Sequence, residues 1–179
     1  MIGLILKADL DNVTNLSFVD PPEDPFLYTF KVRCTSCKET HPNPITVNRY
    51  EEPEANTDGS GGPRADANFI MRCKNCKKES RIALKFDNSV SRSYPLDKSG
   101  FKLLMLKIDT RGLDILAFIP DGKFKCVSGS LDEDDGSVKV GPTVFDPVDL
   151  EENEWYDYDD NAGNEVSITN AEWVLEKVK

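Results

Sequence analysis

Four cysteines in two pairs are the residues of this chain best suited to chemistry. They follow the pattern C-x₂-C-x₃₅-C-x₂-C at Cys34, Cys37, Cys73 and Cys76. Two residues between cysteines let both sulfurs of one tight turn face a common point, and two such turns can supply the tetrahedral all-thiolate shell that Zn²⁺ accepts. Soft thiolates select zinc or iron over magnesium and calcium. The spacing therefore predicts one zinc ion per chain, with these four cysteines as its ligands.

Basic residues flank both cysteine pairs. They are Arg33, Lys38, Arg72, Lys74, Lys77 and Lys78. A Zn²⁺ ion with four thiolates is left with net negative charge, which nearby cations offset. Four protein ligands leave no open position for water, so we expect a structural and not a catalytic site. Two reversible disulfides, unconnected core cysteines and an iron–sulfur cluster are the alternative interpretations.

Two further residues are weaker candidates for chemistry. His41 is the only histidine, and because four cysteines already complete a shell, we expect it near the site or on the surface. Cys126 has no partner in a CxxC pair. B-type methionine sulfoxide reductases combine a four-cysteine zinc site with a separate nucleophilic cysteine, but that analogy rests on cysteine count alone. A small buried thiol is the usual explanation of a cysteine in a strand, so we predict no catalytic residue and no enzyme.

Two acidic segments occur late in the chain, at 132–135 and 146–160. Asp157 and Asp159 resemble the start of a calcium loop, but glycine falls at the seventh position and Ile168 occupies the twelfth, where a bidentate Glu is required. We therefore reject calcium. Trp155, Tyr156 and Tyr158 are interleaved with the acids, an arrangement that could form a surface for a basic protein partner.

Period-two alternation predicts the strands that position the cysteines. Residues 26–34 alternate apolar and polar side chains and lead into the first pair, residues 68–73 lead into the second pair, and residues 82–86 form a third strand. Residues 52–66 contain turn formers without apolar periodicity and lack the Gly-Lys-Ser/Thr of a phosphate-binding loop, so they predict a mobile surface loop.

An internal repeat at a constant offset of 100 residues indicates an ancient duplication. The identical pairs are Leu6 and Leu106, Lys7 and Lys107, Asp9 and Asp109, Leu16 and Leu116, and Phe18 and Phe118. Each half then opens with a strand, a turn near Asn12 or Gly112, and a second strand. The C-terminal residues 171–178 fit a short helix or a closing strand, and we favour the strand because the rest of the chain is rich in strands.

Charge limits the classes of partner. The net charge is −10, so a general nucleic-acid binder or an anionic membrane surface is disfavoured. Residues 1–90 contain 12 Lys/Arg against 13 Asp/Glu, whereas residues 91–179 contain 10 against 19. No signal peptide is visible, so we expect the reducing cytoplasm, with the nucleus as a second compartment, where cysteines are more often metal ligands than disulfides.

The chain resembles the eukaryotic CXXC-motif-containing zinc-binding protein family. The resemblance runs over essentially the whole chain and is carried by the Leu6-Lys7-Ala8 opening, the turn at 12–16, the two CxxC turns and the Trp-Tyr-Asp-Tyr-Asp segment at 155–159. It implies an all-β protein of two similar halves, with zinc held by the four matching cysteines, and it implies no enzyme activity. The loop at 52–66 is longer than is usual in the family.

These observations lead to a single prediction of architecture and function. We predict an all-β fold of two β-sandwich or barrel-like halves related by a pseudo-twofold, with a zinc-binding half at 1–99 and an acidic half without metal at 100–179, packed as one compact unit. We predict a non-enzymatic, monomeric interaction or adaptor module that binds a protein partner and neither nucleic acid nor membrane. The alternative is a metal-handling or thiol-redox protein that exchanges metal through its CxxC pairs.

Overall fold

The computed structural model describes residues 1–53 and 67–179, which form strands and one short 3-10 helix at Leu96–Lys98. The strands of these residues are β1 Ile2–Asp11, β2 Val13–Phe18, β3 Leu27–Cys34, β4 Ile45–Asn48, β5 Phe69–Arg72, β6 Glu79–Lys85, β7 Leu103–Arg111, β8 Leu113–Ile119, β9 Lys123–Leu131, β10 Val138–Asp149, β11 Trp155–Asp159 and β12 Asn164–Lys177. The all-β prediction is confirmed. In the described residues no helix has the length and hydropathy needed to cross a membrane.

The strands form three antiparallel sheets. The largest has six strands in the order β11-β12-β1-β7-β6-β5, and two smaller sheets have the orders β10-β9-β2 and β4-β3-β8. The strand interpretation of the C-terminus is confirmed and the helix alternative is wrong, because β12 pairs along β1 from Ser167 to Lys177. The loop expected at 52–66 falls almost wholly at 54–66, outside the described residues.

Alternation of side chains explains the strand that carries the first cysteine. Tyr28, Phe30 and Val32 of β3 point into the core and are fully or almost fully buried, as the apolar positions of a half-buried strand should be. The turns that follow β1 and β7 place Asn12 and Gly112 at φ of 59° and 84°, a region that Asn and Gly tolerate best. The turns predicted near these two residues are therefore present.

A cluster of aromatic rings at the core joins residues from both ends of the chain. Trp173 of β12 lies with its ring centroid 5.8 Å from that of Phe18, 4.9 Å from that of Phe118 and 5.7 Å from that of Phe124. These four rings come from four different strands in three sheets. The packing therefore crosses the boundary that the sequence predicts between residues 99 and 100, and that division stays a prediction.

The three sheets combine strands from the two halves of the sequence. β2 pairs with β9, and β8 pairs with β3, so each small sheet includes one strand from the other half. The strand orders are unchanged when β1–β6 are exchanged with β7–β12. This is a relation of topology, and a pseudo-twofold axis in the coordinates stays a prediction.

Candidate metal centre

The first CxxC turn begins at Cys34, the last residue of β3. The Lys38 N–H donates to the Cys34 carbonyl at 3.1 Å, and the Cys34 N–H donates to the Glu39 carbonyl at 2.9 Å. Lys38 has a φ of 62°, which reverses the chain direction after Cys37. The turn therefore holds both sulfurs of the pair on the same side of the backbone.

The second CxxC turn repeats the geometry of the first. The Lys77 N–H donates to the Cys73 carbonyl at 2.9 Å, and the Cys73 N–H donates to the Lys78 carbonyl at 2.9 Å. Lys77 has a φ of 67°. Cys73 directly follows β5, and the chain returns from the turn into β6, so the second pair belongs to the six-stranded sheet.

The structure brings all four predicted cysteine ligands together. Their sulfurs lie within 4.8 Å of one another. The Sγ atoms of Cys34 and Cys76 are 3.6 Å apart, and those of Cys37 and Cys73 are 3.7 Å apart. A tetrahedron with Zn–S bonds of about 2.3 Å has S···S edges of about 3.8 Å, so the spacing and the donor chemistry both fit one zinc ion. Within residues 1–53 and 67–179 this is the one such group of Cys, His, Asp and Glu.

Backbone N–H groups favour thiolate at the first cysteine of each pair. The N–H of Cys37 and, less strongly, that of Ser36 lower the pKa of Cys34 to about 6. The N–H groups of Cys76 and Asn75 lower the pKa of Cys73 in the same way. The Lys78 N–H also lowers the pKa of Cys76, but burial and the neighbouring sulfurs outweigh it and raise that pKa to about 11. Four adjacent thiolates therefore need a cation to be stable together.

Two of the flanking basic residues interact elsewhere than with the sulfurs. The Arg33 guanidinium pairs with the Asp114 carboxylate at 3.3 Å across the β3–β8 pair. The Lys77 ammonium donates to the Lys74 carbonyl at 2.8 Å, within its own turn. The charge at the site is therefore offset in part by backbone N–H groups, as the lowered pKa values of Cys34 and Cys73 indicate.

Gly112, from the other half of the chain, contacts the first cysteine turn and the strand that follows the second. Its carbonyl accepts from the Thr35 N–H at 3.1 Å and from the Ser80 hydroxyl at 3.1 Å. A Cβ at this position would lie 2.9 Å from Ser80 Oγ and 3.0 Å from the Glu79 carbonyl oxygen. Sequence reasoning placed a turn at Gly112 but missed this role. The glycine is a signal for a close backbone approach, but it does not reveal which segment approaches.

A cavity of about 310 Å³ lies beside the sulfurs, between Val32, Met71 and Leu113. His41 lines this cavity, and its Nδ1 lies 2.6 Å from the Asn43 carbonyl oxygen. His41 is thus close to the cysteines without belonging to the four-sulfur group.

Cys126 lies within β9, and its side chain is 1% exposed. Burial, with a smaller contribution from the Asp157 carboxylate, raises the pKa of its thiol to about 12. A nucleophilic cysteine needs a lowered pKa and access for substrate. Cys126 has neither, which fits the predicted role as a small core residue.

The acidic half contains two turns of the same shape as the CxxC turns. Gly136 and Gly163 donate to the carbonyls of Asp132 and Asp159, at 3.0 Å and 2.7 Å, and both glycines have a φ of 71°. The Oδ1 atoms of the two aspartates accept from backbone N–H groups two and three residues later, as the sulfurs of Cys34 and Cys73 do. Carboxylates thus occupy the positions of the first cysteine of each pair.

Fold and site together define an all-β protein with a four-cysteine metal centre in which two turns from different sheets meet. Residues 3–176 match the family described as CXXC motif containing zinc binding protein, eukaryotic, and the chain belongs to that family.

Relatives in yeast and mouse match along nearly the whole chain. A UPF0587 protein of Schizosaccharomyces pombe is 36% identical over 98% of this chain and 97% of its own. The CXXC motif containing zinc binding protein of Mus musculus is 30% identical over 93% and 92%.

Two solved structures share the fold. The crystal structure of C1orf123 superposes with a TM-score of 0.78 at 25% identity and covers 99% of both chains. A hypothetical protein from Plasmodium falciparum superposes with a TM-score of 0.76 at 22% identity over 98% of both chains, which shows a common fold.

Proposed function

We propose that Cys34, Cys37, Cys73 and Cys76 bind one structural zinc ion and that the stapled protein is a non-enzymatic module that binds a protein partner in the cytoplasm. The observation that carries the structural role is the origin of the sulfurs. Cys34 ends β3 of the β4-β3-β8 sheet, whereas Cys73 follows β5 at the edge of the six-stranded sheet. A metal ion at this point connects the two sheets through cysteine pairs that lie 35 residues apart in the sequence.

A closed shell supports a role without catalysis. Four protein thiolates occupy every position of a tetrahedral ion, so no site is left for a bound water or a substrate. The family's description names zinc binding and no reaction. Cys126 is buried with a raised pKa, which argues against a second, thiol-based active site.

Strand β11 offers a surface for the partner. It is an edge strand of the six-stranded sheet, and Tyr156 and Tyr158 are 63% and 50% exposed on its outer face. The same segment has exposed carboxylates at Glu154, Asp157 and Asp160, and the Tyr156 hydroxyl donates to Glu154 Oε2 at 3.3 Å. Tyrosine is enriched among residues that dominate binding energy, and the local charge favours a basic partner. The same charge disfavours nucleic acid and membrane.

A matched pair of variants tests this proposal. Zinc-loaded wild type and a Tyr156→Ser/Tyr158→Ser variant are used to capture proteins from cytosol. The control is Val140→Ser/Val144→Ser, which alters two residues that are 61% and 64% exposed on β10, an edge strand of the β10-β9-β2 sheet. We expect the wild type and the valine variant to retain the same basic partner and the tyrosine variant to lose it, at unchanged thermal stability. Identical captures with all three proteins would rule out β11 as the surface.

Metal exchange is the second candidate, because Cys37 and Cys76 are only half-buried. A thiol of another protein could reach these two sulfurs and take the metal by ligand exchange. The two functions differ in the rate at which holo protein reacts with an alkylating reagent and loses zinc to a chelator. Slow reaction supports the structural role, and reaction within minutes at both half-buried cysteines supports exchange.

A further inference from the structure

A second cavity lies away from the metal, where the three sheets meet. Its volume is about 450 Å³, which is within the range of small-molecule sites. The residues around it come from β2, β3, β7, β9 and β10 and from the segments that follow β2, β4 and β6. Pockets between structural units, lined by several segments, are where proteins most often bind small ligands.

The wall of the cavity is aromatic. Phe18, Tyr28 and Phe86 line it together with Met105. The fully buried ring of Tyr28 lies 5.1 Å from that of Phe18 and 6.1 Å from that of Phe86, so it packs behind these two partly exposed rings. Such a surface suits a flat, apolar body by stacking and edge contacts.

Asp20 and Arg49 are held in place by contacts with the aromatic residues of the cavity. The Tyr28 hydroxyl donates to Asp20 Oδ2 at 2.8 Å, and the Phe26 N–H donates to Asp20 Oδ1 at 2.8 Å. The Arg49 guanidinium lies 3.8 Å from Asp20 Oδ2 and 3.8 Å from the centre of the Phe86 ring. Burial and the Asp20 carboxylate raise the pKa of Tyr28, so its hydroxyl stays a donor. Asp20 and Arg49 therefore balance each other without a ligand.

Two basic side chains that line the cavity have no ion-pair partner among the described residues. Arg92 and Lys125 line it and are exposed, and neither forms an ion pair with any residue in the described parts of the chain. One further carboxylate, Asp146, also lines the cavity. In a protein of net charge −10, this opening thus carries a local excess of positive charge.

We propose that this cavity binds a small phosphate monoester with a flat aromatic or heteroaromatic body. The body lies against the wall of Phe18 and Phe86, and the phosphate meets Arg92 and Lys125. A phosphate monoester offers three acceptor oxygens and about −1.5 to −2 charges at pH 7, so it can meet Arg92 and Lys125 at once with Asp146 also present, whereas a carboxylate has only two oxygens. Arginine binds phosphate oxygens through two parallel N–H bonds, which fixes the orientation of the ligand.

Nuclear magnetic resonance titration of the zinc-loaded protein tests the proposal. Phenyl phosphate is the probe. Inorganic phosphate and phenol are the control ligands, and each contains one of its two parts. We expect saturable shifts at the amides of Val19, Arg49, Phe86 and Arg92, with phenyl phosphate binding at least about tenfold more tightly than either half. Adenosine monophosphate and free phosphotyrosine then distinguish a nucleotide-like ligand from an amino-acid-like one.

Variants separate specific binding from general attraction. Arg92→Ala/Lys125→Ala should weaken phenyl phosphate by about tenfold or more, while Lys31→Ala/Lys98→Ala, which removes the same charge at exposed positions outside the cavity, should change it less than about twofold. Phe86→Leu should weaken phenyl phosphate but leave inorganic phosphate unchanged. The proposal is overturned if the shifts do not saturate, if inorganic phosphate binds as tightly as phenyl phosphate, or if both double variants lose affinity equally.

Discussion

Removal of zinc should destabilise one definable part of this protein. A metal bridge between Cys37 and Cys73 closes a loop of 35 intervening residues. The chain-entropy relation for a cross-link gives about 4 kcal/mol for a loop of this length. Since a domain's net stability is about 5–15 kcal/mol, the staple supplies a large share of it. For a chain of this size that loss lowers Tm by about 10 °C.

The effect should be local in the sequence and can be mapped by hydrogen exchange. We expect chelation to deprotect β3, β5 and β6, which carry or adjoin the cysteine turns. β8 should follow, because it pairs with β3 and begins next to Gly112, whose carbonyl accepts from Thr35 in the first turn and from Ser80 in β6. The β9–β10 pair has no ligand and should keep more of its protection. If the metal-free protein keeps β3, β5 and β6 fully protected, zinc does not hold the fold together, and metal exchange becomes the better hypothesis.

Three further outcomes are expected. Cys34→Ser and Cys73→Ser should each lose the bound zinc, measured by atomic absorption, whereas Cys126→Ala should keep one equivalent; a full equivalent in both serine variants contradicts the ligand set. Gly112→Ala should lower the free energy of unfolding measured in urea by about 1–3 kcal/mol, because the added Cβ would lie 2.9 Å from Ser80 Oγ and the backbone has a φ of 84°. Because the pKa of Cys126 rises from 9.0 to about 12 on folding, its contribution to stability is present below pH 9 and is lost as pH rises from about 9 to 12. Cys126→Ala should lack that loss, and parallel pH profiles would contradict the assignment.

Local patterns predicted the four cysteines that come together and the strands that present them. The alternation of Tyr28, Phe30 and Val32 identifies β3, because a strand with one buried face must repeat every two residues. The CxxC spacing identifies the sulfurs that meet, because a turn of two intervening residues has few conformations. Both signals depend on neighbours in the sequence, which is why they could be recognised without coordinates.

The pairing of the strands could not be predicted in this way. The sequence predicted two similar halves in one compact unit but no pairing of strands between them, and in the structure β2 pairs with β9 and β8 pairs with β3. Such pairings depend on packing between distant residues such as Phe18 and Trp173, whose rings lie 5.8 Å apart. The hydrogen bonds from Thr35 and Ser80 to Gly112 also join the two halves of the chain, so they could not be inferred from the first half alone.

Both halves of the chain contain turns of the same shape, but different side chains accept the backbone N–H groups of these turns. In the CxxC turns, sulfurs accept the free N–H groups, and four such sulfurs within 4.8 Å repel one another once ionised. In the acidic turns, the carboxylates of Asp132 and Asp159 accept equivalent N–H groups. Asp132 also pairs with the Lys139 ammonium at 3.0 Å, and Asp159 accepts from the Thr143 hydroxyl at 2.7 Å. These side chains are stabilised by partners within their own half, so the need for a metal is confined to the cysteine turns.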